Sequence, residues 1–186
     1  MHVTGPSADI CPSGVIYCRY QPNAVGIYKY QRSVMSRSKY RGVSMGAAKI
    51  DCESLSVKLK VGPDIKDITG ELEAVVSRSG IENGVLHAFV VGSTGSITTI
   101  EYEPGVVEDL KAAVERLAPR GGYYAHEEAW HDGNGHSHVQ AALLGPSISI
   151  PVRNERLKLG TWQQVVVINH DNRARKRTIE VSIIGG

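Results

Sequence analysis

Four of the seven histidines in this 186-residue chain fall between positions 126 and 138. The stretch reads HEEAWHDGNGHSH, so His126, His131, His136 and His138 share it with Glu127, Glu128 and Asp132. Neutral imidazoles bind divalent transition metals, and zinc needs its ligands at about 2.0–2.1 Å from the ion. The His136-Ser137-His138 pair can chelate from an extended backbone, where i and i+2 share a face; in a helix the two rings diverge by about 200°. Chelation therefore requires the following helix to start at Ser137 or His138. His126 can return to the pair across a loop, which makes His126, His136 and His138 the expected metal ligands. Three protein ligands leave a position for water or substrate. His131, Asp132 and His170 are candidates for a fourth ligand or an acid/base group. The same spacing also fits a solvent-exposed, histidine-rich loop that takes up metal adventitiously.

A second group, Arg173, Arg175, Lys176 and Arg177, suits phosphate capture, because arginine pairs bidentately with phosphoryl oxygens. It equally suits a solvated hairpin flank. The glycine- and hydroxyl-rich stretch Gly92-Ser93-Thr94-Gly95-Ser96 could offer backbone N–H groups to an anion, or be an ordinary turn. His87, in the apolar run GVLHAFVV (84–91), reads as a satisfied core histidine.

The elements that must hold these groups follow from periodicity. Leu55, Val57, Leu59 and Val61 alternate with polar residues and predict a half-buried strand ended by Gly62-Pro63. Ile65, Ile68, Leu72, Val75 and Val76 recur at helical spacing, with Asp67 as the N-cap and Gly80 past the end. Strands are expected at 84–91 and 97–102. Pro104 opens a second helix with Val107, Leu110, Val114 and Leu117 inward. A short helix over 139–144 and strands at 148–152, 156–159, 162–169 and 178–184 complete the chain. Asp171-Asn172 provides the turn between the last two strands. Strands outnumber helices without strict alternation, so the class is α+β: one compact domain of mixed or antiparallel sheets with about three helices.

Charge divides the chain. Residues 1–48 hold six Lys/Arg against the single acid Asp9, and five of the eight tyrosines. The remaining 15 basic and 18 acidic residues leave 49–186 mildly acidic. The front segment reads as a disordered basic extension. It also reads as an RNA- or partner-binding tail, or as an artefact of a start at Met45 or Met35. Three cysteines, Cys11, Cys18 and Cys52, read as free thiols in the cytoplasm. No apolar run reaches the roughly 20 residues of a membrane span.

Three stretches, NGHSHVQAALLGPSISIPV (134–152), LGTWQ (Leu159 to Gln163) and STGSITTIEYEPGVVEDL (Ser93 to Leu110), resemble the YjbQ family, also called secondary thiamine-phosphate synthases. The resemblance covers about 50–185. It implies a compact α+β subunit, a homotrimer, and a metal site on His126, His136 and His138. It implies an acidic residue at Glu101, an aspartate at Asp109, and the TWQ element at Trp162 and Gln163. Many members carry a histidine where this chain has Gly92. With Asp132, the expected catalytic set is Glu101, Asp109 and Asp132; the substrate- or cofactor-binding set is Arg173, Arg175, Arg177, Trp162 and Gln163. The implied reaction joins a pyrimidine diphosphate to a thiazole phosphate and releases pyrophosphate, with zinc or magnesium as the divalent metal. Metal-assisted hydrolysis of a small phosphorylated metabolite is the alternative enzyme reading. The expected partners are a small phosphorylated substrate and further copies of the chain. No membrane is expected, and nucleic acid only if the basic tail binds it.

Overall fold

The computed structural model describes residues 48–186. Expectations for the basic extension, for Met45 and Met35, and for Cys11 and Cys18 lie outside these residues; Cys52 is a free, exposed thiol.

In chain order the elements are β1 (Lys49–Leu59), β2 (Asp64–Asp67), α1 (Thr69–Ser79), β3 (Asn83–Val90), β4 (Gly95–Ile100), α2 (Pro104–Leu117), α3 (His126–Trp130), α4 (Gly135–Leu144), β5 (Ser147–Arg153), β6 (Arg156–Leu157), β7 (Gln164–Asn169) and β8 (Arg175–Gly185). The strands form a five-stranded sheet ordered β1-β8-β3-β5-β6 and a three-stranded sheet ordered β2-β7-β4. All pairings are antiparallel.

One face of the larger sheet packs on α1 and the smaller sheet. The main core unites Val57, Leu86, Val90, Ile150, Ile179 and Ile183 with Leu72, Val75 and Val76 of α1 and with Ile97, Val165 and Val167. Each such side chain, fully buried, contributes about 1.5–3 kcal/mol. The other face of the smaller sheet, Ile65, Val166 and Ile168, is covered by Val107 and Leu110 of α2 and Leu144 of α4. Strand β7 is thus apolar on both faces, which explains its unbroken Val-Val-Val-Ile run.

Helix α1 buries Leu72, Val75 and Val76 as anticipated, but it starts later than expected: Ile65 belongs to β2, and the cap position is Ile68 rather than Asp67. Asp67 Oδ1 accepts from Thr69 N at 2.8 Å, and Gly80 closes the helix in the left-handed region at φ +61°. In α2, Pro104 follows the Glu103 cap, whose carboxylate accepts from Gly105 N at 2.8 Å. Leu117 departs from the expected inner stripe and is 69 % exposed.

Val61, expected to be the last inward residue of the first strand, lies beyond the end of β1 and is 51 % exposed. Two further expectations need correction. Strand β3 alternates rather than being buried throughout, because the outer face of the larger sheet is open. His87 is on that open face, its Nδ1 3.0 Å from Ser149 Oγ, and is not a core residue. The Asp171-Asn172 turn does not close a hairpin, since β7 and β8 belong to different sheets. It carries the chain from one layer to the other. No described helix is long and apolar enough to cross a membrane.

Candidate metal centre

Helix α3 is a single short turn that the sequence pattern did not reveal. It ends at His131 in the left-handed region, φ +49°, and Gly133 repeats that conformation at φ +66°. These two residues fold the chain back. Glu127 fastens the fold: its Oε2 accepts from Gly133 N at 2.7 Å and its Oε1 from Gly135 N at 2.8 Å. The Gly135 and Gly133 amides hold the Glu127 carboxyl below its ordinary pKa. Gly135 must be glycine, because a Cβ there would lie 2.5 Å from Tyr124 Cβ.

The consequence is that α4 begins at Gly135, before the histidine pair instead of after it. His136 and His138 then point to different sides of the helix. His136 turns inward and is 2 % exposed. Its Nε2 lies 3.1 Å from Ser137 Oγ; burial, with the Arg120 charge, lowers its pKa. His138 turns towards α3, where its ring centroid is 4.6 Å from that of His126. The expected His126/His136/His138 cluster therefore divides, and His136 is the member left out.

Asp132 takes the vacated place. Its Oδ1 is 3.4 Å from His126 Nε2, without the alignment of a hydrogen bond. Among the described residues, that Nε2 is the one fully buried side-chain nitrogen or oxygen with no hydrogen-bond partner. His126, Glu127 and Asp132 each bring a ligand atom within 4.8 Å of the others. Both Glu127 oxygens already accept backbone N–H bonds, which makes Glu127 a fastener first. The donors that converge are His126, Asp132 and Glu127; His138 stands ring to ring with His126, outside that group. Trp130 lies nearly parallel to His126, with ring centroids 6.2 Å apart at 19°, and is itself 71 % exposed.

Behind α4 lies a buried polar plug that fixes its position. Ser137 Oγ donates to His170 O at 2.7 Å. Asn134 Oδ1 accepts from Asn172 N at 3.1 Å. His170 is fully buried; its Nε2 is 2.8 Å from Ser96 Oγ and its Nδ1 is 3.1 Å from Gln140 Oε1. The Gln140 amide donates onward to Ala118 O at 2.8 Å. Burial, with the Arg177 charge second, pushes the His170 pKa down to about 4. His170 is thus a neutral core group joining α4 to both β4 and α2. It is neither a fourth ligand nor an acid/base group.

The arginines also separate. Arg173 and Arg175 are exposed, and Arg175 Nε pairs with Asp171 Oδ2 at 2.8 Å. Asp171 is nearly enclosed. Burial alone would raise its pKa, but the bonds from Arg175, Thr94 Oγ1 and Arg173 N outweigh it and leave the carboxyl below its ordinary value. Arg177 is 6 % exposed. Its Nε donates to Asn169 Oδ1 at 3.1 Å, and its Nη2 to Thr94 O at 3.0 Å and Thr94 Oγ1 at 2.6 Å.

Glu101, Asp109, Trp162 and Gln163 are elsewhere. Strands β4 and β7 run side by side with Gly95 opposite Asn169 and Ile100 opposite Gln164. Five steps of strand span about 17 Å, so Glu101 and the Trp162-Gln163 turn are at the opposite end from His170 and Asp171. Trp162 is 71 % exposed. Gln163 Nε2 donates to Thr99 Oγ1 at 3.0 Å and its Oε1 accepts from Gly160 N at 3.0 Å. Asp109 is exposed on α2.

A family model described as "UPF0047 protein YjbQ-like" matches residues 53–186. A UPF0047 protein of Methanothermobacter thermautotrophicus is 37 % identical over 122 residues, covering 66 % of this chain and 83 % of that one. Another from Archaeoglobus fulgidus is 32 % identical over 125 residues, covering 67 % and 95 %. Among solved structures, a YbjQ-like protein of unknown function from Sulfolobus solfataricus P2 is similar, with TM-score 0.71, 32 % identity, 75 % of this chain and 99 % of that one covered. A hypothetical protein from Aeropyrum pernix K1 superposes with TM-score 0.69 at 32 % identity, covering 73 % and 99 %.

Proposed function

The chain belongs to the YjbQ-like UPF0047 family, and from that premise we propose that it is a metal-dependent enzyme of the secondary thiamine-phosphate synthase type. It would join a pyrimidine diphosphate to a thiazole phosphate. The observation that supports this most is the buried His126 Nε2, unpartnered and facing Asp132 with His138 alongside. A buried nitrogen without a partner costs about 1–3 kcal/mol. A ligated cation is one way to remove that cost.

Two imidazoles and one carboxylate suit zinc, manganese or iron better than magnesium, which prefers oxygen ligands and retained water. Held by His126 and Asp132, with His138 turning its ring in to join them, such a cation would supply Lewis acidity to ease the build-up of negative charge on a departing diphosphate oxygen. The protein's own groups do the rest. Glu127 keeps the loop closed so that Asp132 remains beside His126. In the reaction, the carbon–oxygen bond to the diphosphate breaks with its electron pair leaving on pyrophosphate, and the thiazole nitrogen supplies the pair for the new carbon–nitrogen bond. Because Glu101, Trp162 and Gln163 are at the far end of β4 and β7, they enter this reading through a neighbouring copy. A homotrimer in which one copy's Glu101 end meets the next copy's histidine end unites the two sets. Asp109, exposed on α2, is assigned with them.

A second reading, metal-assisted hydrolysis of a small phosphorylated metabolite, is favoured by the 40 % exposure of the Asp132 side chain, which water reaches freely. One assay separates the two. Tag-free protein is incubated with pyrimidine diphosphate, with and without thiazole phosphate and with and without a chelator. Thiamine phosphate that forms only with both substrates and metal, and is lost in His138→Ala, is the expected result. Phosphate release that ignores the thiazole compound would favour hydrolysis. Turnover unaffected by chelator or by His138→Ala would contradict both.

A further inference from the structure

We propose that Arg177 binds one phosphoryl group of a small substrate through an opening at Gly92, in the depression beside His138. This deepens the functional reading above, and in that respect rests on it, but its physical basis is an arginine and not the cation.

Strand β8 aims Arg177 inward, where a guanidinium is costly unless its donors are used. Its Nε and Nη2 are used, by Asn169 and Thr94. No hydrogen bond uses Nη1 within the described residues, yet Nη1 is not among the fully buried unpartnered atoms. It therefore keeps an opening to solvent. The opening is at Gly92, where an added Cβ would stand 3.0 Å from Nη1; a Cβ at Gly95 would stand 3.4 Å from Nε. A side chain at exposed Gly92 would cover Nη1, and glycine leaves that atom open; Gly95 is buried, its Cβ position 2.8 Å from Val90 Cγ1.

Those two glycines line a depression of about 520 Å³, with Ser93 beside them and His138, Ala141 and Ala142 of α4 across from them. No acidic group lines it, and Arg177 lies behind Gly92 rather than in the lining itself. Asp171, the carboxylate nearest to Arg177, is 3.9 Å from Nη2 but makes its close pair with Arg175 at 2.8 Å. The positive charge of Arg177 is therefore only partly offset on its buried side. Its other donors hold the guanidinium in place, so an anion at Nη1 need not pay for ordering a free side chain, as it would at exposed Arg173. The small residues leave room for a tetrahedral phosphoryl group, and His138 links this position to the metal ligands. The phosphate-capturing member of the arginine cluster is thus the buried one.

The test is calorimetric titration of the full chain with inorganic phosphate and then pyrophosphate, in chelator and at low salt. Four proteins are compared: wild type, Arg177→Gln, Ala142→Glu and His126→Ala. Ala142→Glu puts a carboxylate on the exposed rim of α4 without touching the buried plug, so it remains informative if Arg177→Gln fails to fold. Binding by wild type and His126→Ala, weakened at least tenfold in Ala142→Glu and in a folded Arg177→Gln, is the expected outcome. No binding of either anion by wild type at millimolar concentration would overturn the proposal, as would wild-type affinity in Ala142→Glu. Metal uptake without anion binding would remove this proposal and leave the metal centre standing; anion binding without metal uptake would do the reverse.

Discussion

His170 shows how a titratable side chain becomes structural. Its two nitrogens are satisfied by Ser96 and Gln140 in a site with no water contact, so only the neutral ring fits. The folded pKa is about 4, against 6.5 ordinarily. Between those values the unfolded chain binds a proton that the folded chain refuses. The stabilisation is complete above pH 6.5 and is lost as pH falls towards 4, by about 3 kcal/mol. Asp171 acts in the same direction lower down, since its depressed pKa stabilises the fold above the ordinary aspartate range and less below it. Urea unfolding midpoints at pH 7, 5.5 and 4.5 should fall in step, and His170→Gln should remove most of the slope between 6.5 and 4. A flat profile in the wild type would contradict the assignment. Residue type alone marked the 126–138 histidines as potential ligands. It could not tell which of them turns inward, because that depends on Tyr124 and Glu127, which fix where α4 begins.

At the scale of elements, the register of α4 decides the site. Gly135 packs against Tyr124, and its N–H is held by Glu127. Gly135→Ala should destabilise the fold by about 1–3 kcal/mol through overpacking. It should also weaken metal binding at least tenfold by shifting His138 away from His126. Thermal denaturation and metal titration of the one variant check both; an unchanged metal affinity would separate helix register from the site. Glu127→Gln should leave the loop closed by weaker bonds and lower metal affinity less than Asp132→Asn, although both remove one negative charge. Competition with a chromogenic chelator ranks the two. Helix α2, the body of α1 and the second half of β1 were legible because their apolar spacing is regular; the four-residue β2 was absorbed into the start of α1 because Ile65 falls in helical phase with Ile68 and Leu72. The five-residue α3 was not, having too few residues to show a period. The separation of β7 from β8 escaped notice for another reason: a local turn signal at Asp171-Asn172 does not say which sheet the next strand joins.

At the scale of the molecule, two groups of expected site residues occupy opposite ends of the same strands, and the outer face of the larger sheet leaves Val85, Phe89 and Ile184 about half exposed. An assembly that joins the ends accounts for the first fact and gives the second a use. Sedimentation equilibrium should return three times the chain mass. Mixed oligomers of inactive Trp162→Ala and His138→Ala chains should regain part of the activity, and a monomer or an inactive mixture would count against shared sites. The family resemblance made the fold legible at this scale, whereas no single-chain pattern could show that Glu101 and His138 lie so far apart.

The central claim is that His126, Asp132 and His138 hold a cation while His136 holds the core. Elemental analysis of tag-free wild type, His126→Ala, His138→Ala and His136→Ala, each with its melting temperature, tests it directly. The expected result is a divalent transition metal in wild type and in His136→Ala, with the latter melting lower, and no metal in the other two. Metal retained without His126 and His138, or lost only with His136, would contradict it.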